Sequence, residues 1–235
     1  MFGRRPAEPV IEPVPWERAG CFAVTDMVRQ ATLRRKKMTG QRAVRMATTQ
    51  GGVRYFAPVA LISATEDEIP SYTLYEATRP ESLLCALTPE KRGARYRVTD
   101  GQGIELGLAH RTPAPKRTIQ HSWWLQQPGH ADIVARYHWA RGNAKDVAER
   151  GKETVVRGAG KLAEGVVDSL LNFGADEDSG GAGSYTAKPI TWRAEGEEEP
   201  VALTAGRVEG ATSYLPQAAW LDRRLAFALG VLREV

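Results

Sequence analysis

Most of the chain alternates apolar and polar residues with a period of two, the pattern of β-strands that bury one face. Gln50-Gly51-Gly52 and Asp100-Gly101-Gln102-Gly103 separate such runs and have the composition of tight turns. The spacing predicts about eleven short antiparallel strands that close as a barrel or sandwich. The predicted strands cover 41–49, 53–62, 71–78, 82–87, 95–99, 104–110, 121–127, 132–139, 189–193, 201–208 and 212–217.

The segment 218–235 departs from this alternation, because residues 225–232 leave hardly any polar position. A helix that is apolar on all sides is buried, and this one is too short to span a bilayer unaided. Packing on one open sheet would leave Phe227 or Leu229 exposed. We therefore predict a mainly β fold, a closed antiparallel β-barrel of about 11–12 strands around a buried C-terminal hydrophobic helix. The predicted core residues of this central helix are Leu221, Leu225, Phe227, Leu229 and Leu232.

A second helical pattern interrupts the strands, and its apolar residues recur with a mean spacing of 3.6. Four glycines in and around it cost about 4 kcal/mol relative to alanine, so the helix needs the barrel wall, a second copy or a membrane interface. The flank 174–184 is acidic and then glycine-rich. We predict an inserted amphipathic helix and a flexible linker over 143–183. The apolar face of the inserted helix consists of Val155, Ala159, Leu162, Val166, Leu170 and Phe173.

The start of the chain is rich in proline, which resists both helix and sheet interiors. We predict a disordered tail over 1–20. Thr25-Asp26 then resembles a helix N-cap, and apolar residues follow at helical spacing, so a short basic helix is predicted over 26–38. Residues 21–142 and 184–235 would form a single barrel domain.

The formal net charge of +4 is unevenly distributed. Residues 27–65 carry eight bases and no acid, so the rest of the chain sums to −4. Such a segment favours an anionic partner, either a lipid surface or nucleic acid, and the alternative is a solvated basic surface without a partner. The candidate lipid- or anion-binding residues are Arg29, Arg34, Arg35, Lys36, Lys37, Arg42 and Arg45.

Motifs of known catalytic or metal sites are absent from the sequence, including GxxxxGK[ST], HExxH, CxxC and GxSxG. Two cysteines, Cys21 and Cys85, are too few for a disulfide framework, which indicates a reducing compartment. We expect a non-enzymatic protein with no metal and no cofactor, located in the cytoplasm.

The adjacent tryptophans Trp123 and Trp124 occupy successive positions of one predicted strand. Because successive side chains of a strand point to opposite faces, one of the two should face outward.

Three features carry a resemblance to a known family. They are the hairpin YRVTDGQGIELGLAHRT (96–112), the tryptophan-rich strand after it, and the ending WLDRRLAFALGVLREV (220–235). In this order they resemble the tubby C-terminal-like superfamily, in particular its LURP-one-related and phospholipid-scramblase-like branches. The resemblance implies a closed barrel, typically of twelve strands, around a buried C-terminal helix. It also implies a non-catalytic and often membrane-associated binding role.

These observations favour peripheral binding to an anionic membrane surface, or an adaptor role. A nucleic-acid-binding regulator that uses the basic block 29–54 is one alternative, although no helix-turn-helix or RNP-type motif is recognised. A scaffold subunit that docks a protein partner through the inserted helix is another. The sequence leaves the ligand and the oligomeric state open.

Overall fold

The computed structural model describes residues 10–33, 35–137, 189–208 and 211–234. In these residues, twelve strands form one closed antiparallel barrel. Each strand pairs with the next along the chain, and pairing of Phe22 with Tyr214 closes the ring. The strands are β1 (Phe22–Arg29), β2 (Met38–Gln50), β3 (Val53–Ala64), β4 (Tyr72–Glu76), β5 (Arg79–Glu90), β6 (Arg95–Asp100), β7 (Glu105–Arg111), β8 (Trp123–Gln126), β9 (Ile133–Ala135), β10 (Ile190–Ala194), β11 (Val201–Val208) and β12 (Ala211–Pro216).

The eleven predicted strands correspond to β2 through β12, and the predicted helix over 26–38 is wrong. Residues 22–29 form β1, the strand that completes the barrel. The Thr25 hydroxyl accepts a hydrogen bond from the Met27 N–H at 3.0 Å, beside a shift in register between β1 and β2. A hydroxyl that bonds to a nearby N–H is what an N-cap supplies, and here it stabilises an irregular strand instead.

The C-terminal helix α1 (Arg223–Glu234) lies inside the barrel, as predicted. It contacts β1, β5, β7, β8 and β12, strands from different sides of the ring. Every residue from Leu225 to Leu232 is buried, and the predicted core residue Leu221, just before the helix, is buried too. The Asp222 carboxylate accepts a hydrogen bond from the Arg224 N–H at 2.8 Å and so caps the first turn. The mainly β fold and its central helix are thus confirmed.

No helix in the described part of the chain is long and apolar enough to cross a membrane.

Polar contacts hold both ends of α1. At its start, Asp222 forms an ion pair with Arg224 at 2.7 Å, and the Arg224 guanidinium lies 5.6 Å from the centre of the Trp16 ring. At its end, the Tyr214 hydroxyl donates to the Glu234 carboxylate at 2.8 Å. The Arg233 guanidinium lies 4.8 Å from the centre of the buried Trp192 ring. The charged residues at the helix ends therefore lie at opposite mouths of the barrel.

The predicted disordered tail does not match the structure where it is described. Residues 1–9 lie outside the described part, whereas 10–20 contact the barrel. The Val14 N–H donates to the Pro58 carbonyl at 2.9 Å, Trp16 packs on the core, and Ala19 is fully buried. The prolines precede a short 3-10 helix, Trp16–Arg18, and do not prevent packing. The predicted inserted helix over 143–183, with its face from Val155 to Phe173, lies outside the described residues and stays a prediction.

The two adjacent tryptophans face opposite sides of β8, as alternation requires. Trp123 packs against the core beside Tyr96, with their rings 6.0 Å apart. Trp124 stacks instead on the His110 ring at 4.0 Å, on the outer wall. The predicted outward tryptophan is therefore Trp124.

Candidate functional site

The predicted basic residues do not form one surface, and Arg45 shows this most clearly. Arg45 is 5% exposed. Its guanidinium donates to three backbone carbonyls, those of Thr25 at 3.2 Å, Phe56 at 3.0 Å and Gln41 at 2.7 Å. Burial lowers the pKa of Arg45, although a guanidinium in a protein stays protonated. The residue therefore joins β1, β2 and β3, and its contact with an external anion stays a prediction.

Arg29 is the second predicted basic residue that the fold buries, again at 5% exposure. Its guanidinium lies 5.8 Å from the centre of the Tyr55 ring, and its Nη2 donates to the Lys36 carbonyl at 3.0 Å. The Arg29 guanidinium thus binds the backbone near the end of the connection between β1 and β2. These contacts give Arg29 a structural role, and its binding role stays a prediction.

The connection between β1 and β2, residues 30–37, is the β1–β2 loop, and its tip is a closed turn. The Thr32 N–H donates to the Arg35 carbonyl at 2.8 Å, and the Arg35 N–H donates back to the Thr32 hydroxyl at 3.1 Å. The Arg35 side chain reaches down to the Tyr55 hydroxyl at 3.3 Å. Tyr55 thus contacts both Arg29 and Arg35, which fastens the loop to β3.

Leu33 lies at the tip of the β1–β2 loop with its side chain fully exposed, at 109% of the reference area. Around it the loop exposes Arg35, Lys36 and Lys37, and Arg42 is exposed on the neighbouring strand β2. The predicted site residue Arg34 lies outside the described residues. The loop is therefore amphipathic and is held in place by hydrogen bonds. Such a loop can insert its leucine into the apolar layer of a membrane while the surrounding basic side chains stay at the charged headgroups.

The sequence analysis missed Leu33 and Tyr55. The signal for Leu33 was a single apolar residue within TLRRKK, which lacks the repeat of either a helix or a strand. Tyr55 had no local signal, because its contacts come from residues about 20 positions away. Of the predicted anion-binding residues that the structure describes, those exposed to solvent are the bases of the β1–β2 loop and Arg42. Leu33 is the apolar residue that lies among them.

A groove of about 350 Å³ lies on the outer wall where β1, β2, β3 and β12 meet. Arg45, Arg54 and Cys21 are among its lining residues. Partial burial raises the pKa of the exposed Cys21 thiol, whereas Ser213 and Arg54 act in the opposite direction. The thiol is therefore not the activated thiolate that nucleophilic catalysis needs. Cys85 is fully buried, which raises its pKa to about 12.

Within the described residues, no group of three or more His, Cys, Asp or Glu side chains could hold a metal ion. No protein-family model matches the chain, and no curated protein sequence is significantly similar to it.

Proposed function

We propose that this protein is a non-enzymatic, tubby-like barrel that binds anionic membrane surfaces peripherally through the β1–β2 loop. The observation that carries the proposal is the fully exposed Leu33 at the tip of a pinned basic loop. The closed twelve-strand barrel around a C-terminal helix supports the proposed kinship with the tubby C-terminal-like superfamily, because the resemblance implies that architecture.

The expected affinity follows from the loop's composition. Burying a leucine side chain in the interface contributes about 2 kcal/mol. Arg35, Lys36 and Lys37 contribute about 1 kcal/mol each near an anionic leaflet. The total of about 5 kcal/mol corresponds to a dissociation constant in the high micromolar range. One loop thus gives weak, reversible binding, as expected of a peripheral protein.

The pinned geometry of the loop favours binding over a merely solvated surface. The Thr32–Arg35 turn and the contacts of Arg29 and Arg35 with Tyr55 already restrict the loop. Ordering a flexible loop on binding costs free energy, about 0.5–1.5 kcal/mol for each immobilised long side chain. A loop restricted in advance avoids part of that cost, so more of its interaction energy becomes affinity.

The test is co-sedimentation of the full chain with phosphatidylcholine vesicles, with and without phosphatidylserine, at low ionic strength. We expect pelleting only with the anionic vesicles. Leu33→Ser should weaken it about thirtyfold, because it removes the apolar contact and leaves every charge in place. The combined change Lys36→Glu and Lys37→Glu should abolish it. The matched control is Ile104→Ser, since Ile104 is also exposed, at 60%, but lies in the turn between β6 and β7.

Two outcomes would contradict the proposal. One is wild-type protein that stays in the supernatant with anionic vesicles. The other is Leu33→Ser protein that pellets as the wild type does while the double Glu variant does not. That second pattern indicates a purely electrostatic partner, and a gel shift with a steep salt dependence would then identify nucleic acid.

A further inference from the structure

The two ends of the barrel carry opposite charge. In an antiparallel barrel, every connection that follows an odd-numbered strand lies at one end, together with the β1–β2 loop. At that end, the described connections and the end of α1 carry nine bases and four acids. At the other end, the segment 16–21, the remaining connections and the start of α1 carry seven acids and three bases. We call these the basic end and the acidic end.

A second basic loop with an exposed apolar side chain lies at the basic end. It is the β7–β8 loop, residues 112–122, which contains Lys116, Arg117 and Ile119. Ile119 is 36% exposed and Lys116 is exposed. The chemistry of this loop therefore repeats that of the β1–β2 loop, although the two share no sequence.

The β7–β8 loop is also pinned. Thr112 is 1% exposed, and its N–H donates to the Ser122 carbonyl at 2.8 Å, which closes the base of the loop. The Arg117 Nε donates to the Thr112 carbonyl at 2.9 Å. The Tyr137 N–H donates to the Ile119 carbonyl at 3.1 Å. Ile119 is therefore held in position by backbone contacts on both sides of the loop.

The two loops lie across the barrel mouth from each other. The β1–β2 and β7–β8 connections are six strand positions apart in a ring of twelve strands. Two contacts on opposite sides of a rim fix a line across the mouth, so the barrel can rock only about that line, whereas one contact leaves it free to tilt in every direction.

The exposed apolar residue Ile104, in the turn between β6 and β7 at the acidic end, has the opposite surroundings. Ile104 is 60% exposed, but its turn lies between Asp100 and Glu105. An anionic surface would repel that turn. Leu33 and Ile119 thus lie in connections that carry bases, whereas Ile104 lies between acids.

We propose that the β1–β2 and β7–β8 loops together form a two-point face for anionic membranes, which holds the barrel with its basic end toward the bilayer and its acidic end away. This inference rests on the proposed function, and it adds a second contact site and an orientation. Because the two contacts belong to one rigid barrel, each raises the effective concentration of the other at the surface.

The first test measures the second contact with the same phosphatidylserine vesicles. Ile119→Ser should weaken binding about fourfold, in proportion to its partial exposure. The combined change Lys116→Glu and Arg117→Glu should weaken it by about tenfold or more. Ile104→Ser should leave it unchanged. If the β7–β8 variants bind as the wild type does while Leu33→Ser is impaired, the two-point face is wrong and single-loop binding stands.

The second test measures orientation with a polarity-sensitive dye attached to single cysteines. Cys21 is exposed beside β1 at the acidic end, and the buried Cys85 should not react in the folded protein. In a Cys21→Ser background, dye on Leu33→Cys and on Ile119→Cys should shift to the blue on addition of vesicles. Dye on the native Cys21 should not shift. A shift at Cys21, or at position 33 without position 119, would overturn the orientation, and no pelleting at all would overturn the proposed function with it.

Discussion

Replacing the buried Arg45 by methionine should destabilise the barrel without weakening its membrane binding. Methionine fills a similar volume but leaves the carbonyls of Thr25, Gln41 and Phe56 without their charged donor. Hydrogen bonds to charged groups contribute about 1.5–3 kcal/mol each, so three set an upper limit of about 9 kcal/mol. The groove beside Arg45 admits water, which replaces part of that loss. We expect a loss of about 3 kcal/mol in the free energy of unfolding.

The assay is urea unfolding followed by tryptophan fluorescence. With a slope of about 3 kcal/mol per molar urea, the midpoint for Arg45→Met should fall by about 1 M. The matched control is Arg42→Met, because Arg42 is exposed on the same strand, three residues away. Arg42→Met should move the midpoint by less than about 0.2 M, since surface changes stay within about 0.5 kcal/mol. An Arg45→Met protein that is as stable as the wild type but fails to pellet with anionic vesicles would refute the structural role.

Three further predictions concern the core and the outer wall. Phe227→Ala should cost about 4 kcal/mol in urea unfolding, because the ring is fully buried and lies edge-on to Phe22 at 4.8 Å; a loss under 1 kcal/mol would contradict a helix packed inside the barrel. Gly107→Ala should reduce soluble, folded protein or lower the melting temperature sharply, because a Cβ at this φ of +153° would lie 2.2 Å from the Gln126 carbonyl oxygen. Burial lowers the pKa of His110 below its ordinary 6.5, so the neutral ring contributes stability that is fully present above pH 6.5 and is lost as pH falls through the lowered value. His110→Gln should therefore flatten the fall in unfolding free energy on acidification, and an unchanged pH profile would contradict this assignment.

The sequence was sufficient for the architecture because each strand carries its own local signal. Alternation of apolar residues placed β2 through β12, and the turn residues between them set the order of the hairpins. The helix α1 is apolar on all sides, which indicated that the sheet closes into a barrel, since only a ring of strands buries every side of a helix. Strand β1 was missed because its Thr25-Asp26 signal has the same local chemistry as a helix cap. Only pairing with both β2 and β12 makes that segment a strand.

The candidate binding site was harder to predict from the sequence, because burial of a charged side chain depends on partners that are distant along the chain. Arg42 and Arg45 are indistinguishable in composition, yet one is exposed and the other donates to carbonyls of three strands. The sequence by itself determined that a positive segment precedes a barrel. The tertiary structure decided which cations face solvent, that Leu33 protrudes among them, and that Ile119 joins the same end. Local periodicity encodes the strands, whereas the antiparallel order of the closed sheet determines which loops share a mouth.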